Sequence, residues 1–497
     1  MASISSSTSS PKRASRASYK DPSGFDLFYQ LIYMSAVASA GISRSQLFQL
    51  ASRLVRAPAD YFRRIHLLCE KMGYNYPAAC NVVGLKARSE AMRTFLLRFA
   101  DALSSGHPEV AFLTQEAEVQ RDAYEKEYDR NLASLTKWTD AYGAVVVSAA
   151  LIVIVNLTST MIYELNIGLI AGLVLTAILA TSGGAWIISR AAPSEPEAFF
   201  TREGPPFQRL TISLSKTVPL AIVILCAVFW LLGWGMGWLL IGVGLIILPL
   251  GIVSTQAAKE IERKDKDIGP FLRSLGAVAT ATSTTLSQAL TQIDLSSFPN
   301  LQPDMRRLSL RFRASIPPAL CWSRFARETG SRLISETITI FHDAIQLGGD
   351  ADMVGALCSR FATTEVMLRA RRRVIASTFS GLTVVMHGVV AALMVIILQV
   401  IRNFTGILAA SAALQQQDAL RSMELPVLSF GSPLLDTLST ITHAMVILLA
   451  FINAFAIIAA DGGHILKGSL YLSILLALSG LSLVIVPPFV NGILRIG

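Results

Sequence analysis

Phe99-Ala-Asp101-Ala-Leu-Ser-Ser-Gly106 returns 242 residues later as Phe341-His-Asp343-Ala-Ile-Gln-Leu-Gly348. Each copy stands upstream of a long uncharged apolar run, so the chain reads soluble helices, membrane, soluble helices, membrane. Self-similarity at a fixed distance marks a duplicated module and takes precedence over other signals in deciding a fold.

Composition agrees with a membrane protein. The 497 residues are 52% hydrophobic and only 15% charged, whereas soluble domains carry about 25% charge. Five uncharged runs, at 141–163, 165–189, 374–401, 437–460 and 468–494, have the length of about 20 residues that a helix needs to cross a bilayer. A sixth, from Thr217 to Ala258, suffices for two crossings with a turn at Gly233-Trp-Gly-Met-Gly237. Seven crossings result. Two in the long run return the chain to its starting side, which places both soluble parts on one face. Lys and Arg concentrate in those parts: 18 against 14 acids in residues 1–142, and 17 against 12 in residues 255–375. The segment 190–216 carries Arg190, Arg202, Arg209 and Lys216, whereas 402–436 has only Arg402 and Arg421 with three acids. The positive-inside bias therefore predicts cytoplasmic soluble domains and an external C-terminus.

Within the soluble parts the apolar period is helical. Met92, Phe95, Leu96, Phe99 and Leu103 share one face, as do Leu333, Thr337, Ile338, Phe341 and Ile345. Sustained alternation is absent, so the expected fold is all-α. The domains are a disordered tail at 1–24, a helical bundle at 25–140, four transmembrane helices at 141–258 with a cytoplasmic loop at 190–216, a second bundle at 259–375, and three transmembrane helices at 376–497. The basic, Ser-rich start has no apolar segment behind it and is not a secretory signal.

Chemistry-bearing constellations are few. The chain has no phosphate-binding, nucleophile-elbow or zincin motif, and its five cysteines lie far apart without metal-ligand spacing. No catalytic residue, metal or cofactor is expected. Asp101 and Asp343 share a register and read either as helix-surface carboxylates or as groups that position the bundle hairpins. Arg306, Arg307, Arg311 and Arg313 suit either a protein partner with an acidic face or a solvated surface, because guanidiniums pair well with carboxylates. Arg369, Arg371, Arg372 and Arg373 stand just before a membrane run, where anchoring to anionic lipid is expected. Aromatic interleaving is missing around these charges, which disfavours nucleic acid. His387 and His443 lie inside membrane runs that hold no carboxylate, unlike the proton relays of pumps.

The segments FLRSLGAVATATSTTLSQAL from Phe271, SIPPALCWSRFARET from Ser315 and FHDAIQLGGD from Phe341 resemble the type II secretion system F domain. FDLFYQLIYMSAVASAGISRSQL from Phe25 and RFADALSSG from Arg98 repeat it more faintly. Two copies separated by a multi-pass block, with three terminal spans, are similar to the platform proteins of type IV filaments, in particular those of the archaellum and of Tad pili. The second copy has Thr284-Thr285-Leu286-Ser287 where the first has Ala40-Gly41-Ile42-Ser43, so a glycine-dependent turn is expected only in the first. The resemblance implies a non-enzymatic platform in the cell membrane. It would couple a cytoplasmic hexameric secretion ATPase to pilin or archaellin subunits in the bilayer, and it is compatible with a homodimer. Arg306, Arg307, Arg311 and Arg313 would then contact the ATPase. A secondary transporter or an unrelated membrane scaffold remains the alternative.

Overall fold

A computed structural model describes residues 22–159, 167–193, 204–415 and 432–496. The tail up to Asp21, Arg202 and Arg421 lie outside the described residues. The protein is an all-α polytopic membrane protein, with no strand among the described residues. Its helices are α1 (Gly24–Ala38), α2 (Arg44–Arg53), α3 (Ala59–Met72), α4 (Tyr76–Leu85), α5 (Glu90–Ser104), α6 (Glu109–Ser159), α7 (Ile167–Ala191) and α8 (Pro206–Leu232). They continue as α9 (Met236–Thr282), α10 (Leu286–Gln292), α11 (Gln302–Arg313), α12 (Pro318–Thr329), α13 (Arg332–Gln346), α14 (Ala351–Gln415), α15 (Ser432–Asp461) and α16 (Gly468–Ile496). Seven of them, α6 to α9 and α14 to α16, are long and apolar enough to cross a membrane. Gly233 in a left-handed conformation ends α8 and Gly235 caps α9, which puts the expected turn inside the 42-residue apolar run.

The duplication extends beyond the motif that revealed it. α2, α4, α5 and α6 begin at residues 44, 76, 90 and 109, and α10, α12, α13 and α14 begin 242 residues further on. Matching helix starts correct the register of the turn before α2. Gly41 corresponds to Ser283, and both have positive φ, +65° and +49°. The same holds for Gly73 and Ser315, at +70° and +56°. The second copy thus keeps both left-handed turns with serine in place of glycine, and the expectation that it had lost the glycine-type turn is overturned. Left-handed backbone is disfavoured for residues with a Cβ, so these two serines are held by the helices on either side.

Contacts divide the chain into two packed units: residues up to Tyr124 together with Gln346–Gly349, and the remainder. In the first unit Phe99 is fully buried and stacks on Phe48, Phe95 and Phe112 at centroid separations of 5.5–5.7 Å. In the second, the equivalent Phe341 is also fully buried but meets the edge of Trp322 at 6.0 Å. One anchor is retained while its neighbours are exchanged. Side-chain caps start the intervening helices: Ser43 and Gln46 form a capping box on α2, while Ser89 and Ser331 accept from Met92 and Ile334 main-chain N–H groups. These satisfy helix donors that would otherwise lack partners.

The compositional limits at 140, 258 and 375 fall inside α6, α9 and α14, each of which joins charged to apolar sequence without a break. Pro249 and Pro270 sit within α9. Packing holds that helix together despite two missing main-chain donors. In the apolar zone α9 lies against α16 along Gly237, Gly244 and Gly251. A Cβ on Gly251 would stand 2.5 Å from Leu470 Cα, so the backbones touch. Ser473 and Ser254 Oγ donate across the seam to the carbonyls of Gly244 and Leu466, at 2.8 and 2.9 Å. Small residues that admit close approach are how membrane helices associate without a hydrophobic driving force.

Candidate functional site

Just past its apolar run α9 carries Glu260, Glu262, Lys264, Asp265 and Lys266, and these organise the second bundle. Lys264 Nζ lies 2.9 Å from Glu260 Oε1 and 3.1 Å from Asp304 Oδ2. Asp304, only 1% exposed, also receives Arg307. Arg307 Nε is 3.3 Å from Glu328, which Arg311 pairs with as well. The relay Glu260–Lys264–Asp304–Arg307–Glu328–Arg311 therefore runs from α9 through α11 to α12. An open cavity of about 560 Å³ beside it is lined by Arg209, Lys264, Arg307, Arg324, Glu260, Asp304 and Glu328 among others. Burial raises the cost of removing one partner of such a pair.

α14 is tied to the same region of α9. Arg369 Nη1 donates to Asp265 at 3.2 Å, and Asp265 accepts from Ser331 at the start of α13. Arg373 pairs with Glu262. Burial would raise the Glu262 pKa, but hydrogen bonds and charge from Lys266 and Arg373 outweigh it and hold the carboxyl below its usual range. Arg371 reaches Asp129 on α6 at 2.9 Å. Arg372, 4% exposed, donates to the carbonyls of Ala459, Ala460 and Pro193 at 3.1, 2.9 and 2.7 Å. Its guanidinium caps the C-terminal end of α15 and the segment after α7, where unpaired carbonyls and the helix dipole favour a cation. Lys467 pairs with Asp461 in the adjoining Gly462-Gly463 turn.

All four arginines before the membrane run thus have protein partners. A helix advances about 100° per residue, so residues 369, 371, 372 and 373 point around most of the circumference and cannot all face one lipid surface. That spread was legible in the sequence. The acids that receive Arg369, Arg371 and Arg373 were not, because they lie more than 100 residues away. Asp304 is legible as a partner of Arg307, since an acid three residues before an arginine is a helical pairing signal, whereas Glu328 on another helix is not.

Of the arginines on α11, Arg307 and Arg311 are engaged within the bundle. Arg306 and Arg313 are exposed on α11 and make no ion pair among the described residues. Asp101 is exposed in the last turn of α5, where its main-chain carbonyl accepts from Ser104 Oγ and the Ser105 N–H. Asp343 lies 3.5 Å from His342 Nδ1. The hairpins they precede turn on Gly106 and Gly348, both at positive φ.

In the apolar zone a buried polar chain joins four helices. Tyr142 on α6 donates to Asn453 Oδ1 on α15 at 2.6 Å, Asn453 Nδ2 is 3.2 Å from His387 Nδ1 on α14, and His387 Nε2 is 2.8 Å from Ser479 Oγ on α16. With Nε2 carrying the proton, every partner in this chain is satisfied. His443 Nδ1 is 3.4 Å from Ser439 Oγ, which also accepts from Arg402 at 2.7 Å. No metal-holding cluster is present among the described residues.

Two continuous helices that carry a charged, interlocked bundle into a close-packed membrane base agree with what sequence comparison finds. The chain is similar to flagella accessory protein J. The protein of that name from Methanocaldococcus jannaschii is 23% identical over 414 residues, 81% of this chain and 72% of the relative. Its Methanococcus voltae counterpart is 22% identical over 458 residues, covering 88% and 79%. No family model and no solved structure matches the chain. The J proteins are matched across most of their length, so the likeness takes in membrane spans as well as bundles.

Proposed function

We propose that the chain is the membrane platform subunit of an archaellum or related type IV filament machine, coupling a cytoplasmic secretion ATPase to the insertion of pilin-like subunits. The similarity to flagella accessory protein J over four fifths of the chain carries this reading. The architecture supports it: α9 and α14 each run from the second bundle into the bilayer without a joint, so force on the bundle reaches the membrane helices directly. In this reading four crossings separate the bundles, which would leave both on one side, and the Lys/Arg bias supports the cytoplasm as that side. In this reading the platform acts by binding and movement rather than by catalysis. Arg306 and Arg313 face the ATPase, Arg307 and Arg311 hold α11 to α12, and Asp101 and Asp343 position the hairpins. The seam-bearing membrane helices receive the pilin helices, in a monomer or a homodimer.

Deleting the gene should abolish surface filaments seen by electron microscopy while leaving pilin subunits in the membrane, and the wild-type gene should restore them. Filaments of normal number and length in the deletion strain would refute the assignment.

A further inference from the structure

The α3–α4 and α11–α12 hairpins occupy equivalent places in the two copies, yet most of their facing residues differ. Phe62 corresponds to Asp304, Ile65 to Arg307 and Cys69 to Arg311. Against that divergence one surface pattern survives. Arg64, Leu68 and Lys71 on α3 correspond to Arg306, Leu310 and Arg313 on α11, a basic–leucine–basic stripe at i, i+4 and i+7 that lies on one helix face. Each stripe runs into an exposed apolar tip. Met72 and Tyr74 are 69% and 44% exposed in the first copy, and Leu310 and Leu320 are 63% and 58% exposed in the second, with Ile316 beside them. The left-handed Gly73 and Ser315 shape both tips.

In the second copy the charge is one-sided, whereas the first keeps Glu70 beside its stripe, 3.3 Å from His66 Nε2. Residues 305–327 hold six arginines and no acid. Their acidic neighbours Asp304 and Glu328 are occupied by Lys264, Arg307 and Arg311. Arg306, Arg313 and Lys71 make no ion pair among the described residues. We infer that the two hairpins carry duplicate copies of one protein-docking element, fitting a partner surface with an apolar recess rimmed by carboxylates. The stripe is a poor bilayer anchor, since cations interrupt its apolar residues every three or four positions and leave no continuous face to bury. Arginines around a small apolar centre are the composition of an interface hot spot. The inference rests on the proposed function for the identity of that partner, the secretion ATPase.

The test uses the full chain in neutral-lipid nanodiscs and the purified secretion ATPase of the same organism. R64E/K71E and R306E/R313E should each weaken binding by about tenfold and flatten its salt dependence, and the fourfold variant should weaken it further. L310A/L320A should weaken binding at high salt as well. Lys71, Arg306, Arg313, Leu310 and Leu320 are exposed, so thermal midpoints of K71E, R306E/R313E and L310A/L320A should stay at the wild-type value, and K71E alone should still weaken binding through the first hairpin. Wild-type binding that survives both charge reversals overturns the inference while leaving the proposed function standing. Loss from one hairpin alone overturns the duplication. Charge reversals that abolish capture of added phosphatidylglycerol vesicles, with ATPase binding unchanged, assign the tips to a membrane and also overturn it. Absence of wild-type binding to the ATPase removes the proposed function itself, and the inference with it.

Discussion

Ser283 and Ser315 hold backbone conformations that their counterparts Gly41 and Gly73 adopt freely. Replacing either serine by glycine should stabilise the protein by about 1 kcal/mol, because the left-handed penalty disappears. The measurement is the thermal midpoint of the detergent-solubilised chain, and a fall in that midpoint for both variants would count against the strain. Lys264 poses the opposite case. Lys264→Met leaves Asp304 buried with Arg307 alone and should cost about 3 kcal/mol. Adding Asp304→Leu to it should recover part of that loss, as expected for two groups whose main cost is to be left without each other. Additive losses would mean that the two side chains act independently.

Among the elements, α9 carries both the glycine seam and the charged turn, so damage to either should spread along it. Gly251→Leu should separate α16 from α9 and raise hydrogen exchange throughout α16; unchanged exchange would show that the seam is not the contact holding the pair. The clamp between α9 and α14 also predicts a pH response. Glu262 has a depressed pKa, so its pairing with Lys266 and Arg373 stabilises the fold fully above the ordinary carboxylate range and is lost as the pH falls through the lower, folded-state value. The thermal midpoint should therefore drop on acidification, and Glu262→Gln should lessen the drop. Sequence patterns disclosed these elements unevenly. The faces led by Phe99 and Phe341 and the turn at Gly233 could be read directly, since helical period and uncharged length are local properties. The continuity of α9 could not. A change from apolar to charged residues at Ala258 looks like a domain limit, although a helix crosses it unaltered. The relay through Lys264 was hidden for the same reason, because its partners come from helices far apart in the chain.

At the scale of the whole molecule, seven crossings and the side assigned to the bundles can be checked together. A reporter fused near residue 300 should show cytoplasmic activity and one at the C-terminus external activity; an external signal from the first would undo the proposed orientation. The 242-residue spacing has a consequence of its own. It is kept to the residue at the starts of α2, α4, α5 and α6, although the side chains between have been widely exchanged. One added residue would turn everything beyond it in a helix by about 100° and advance it by about 1.5 Å. The two halves are thus phase-locked. Their shared inheritance is a count of residues rather than a list of them.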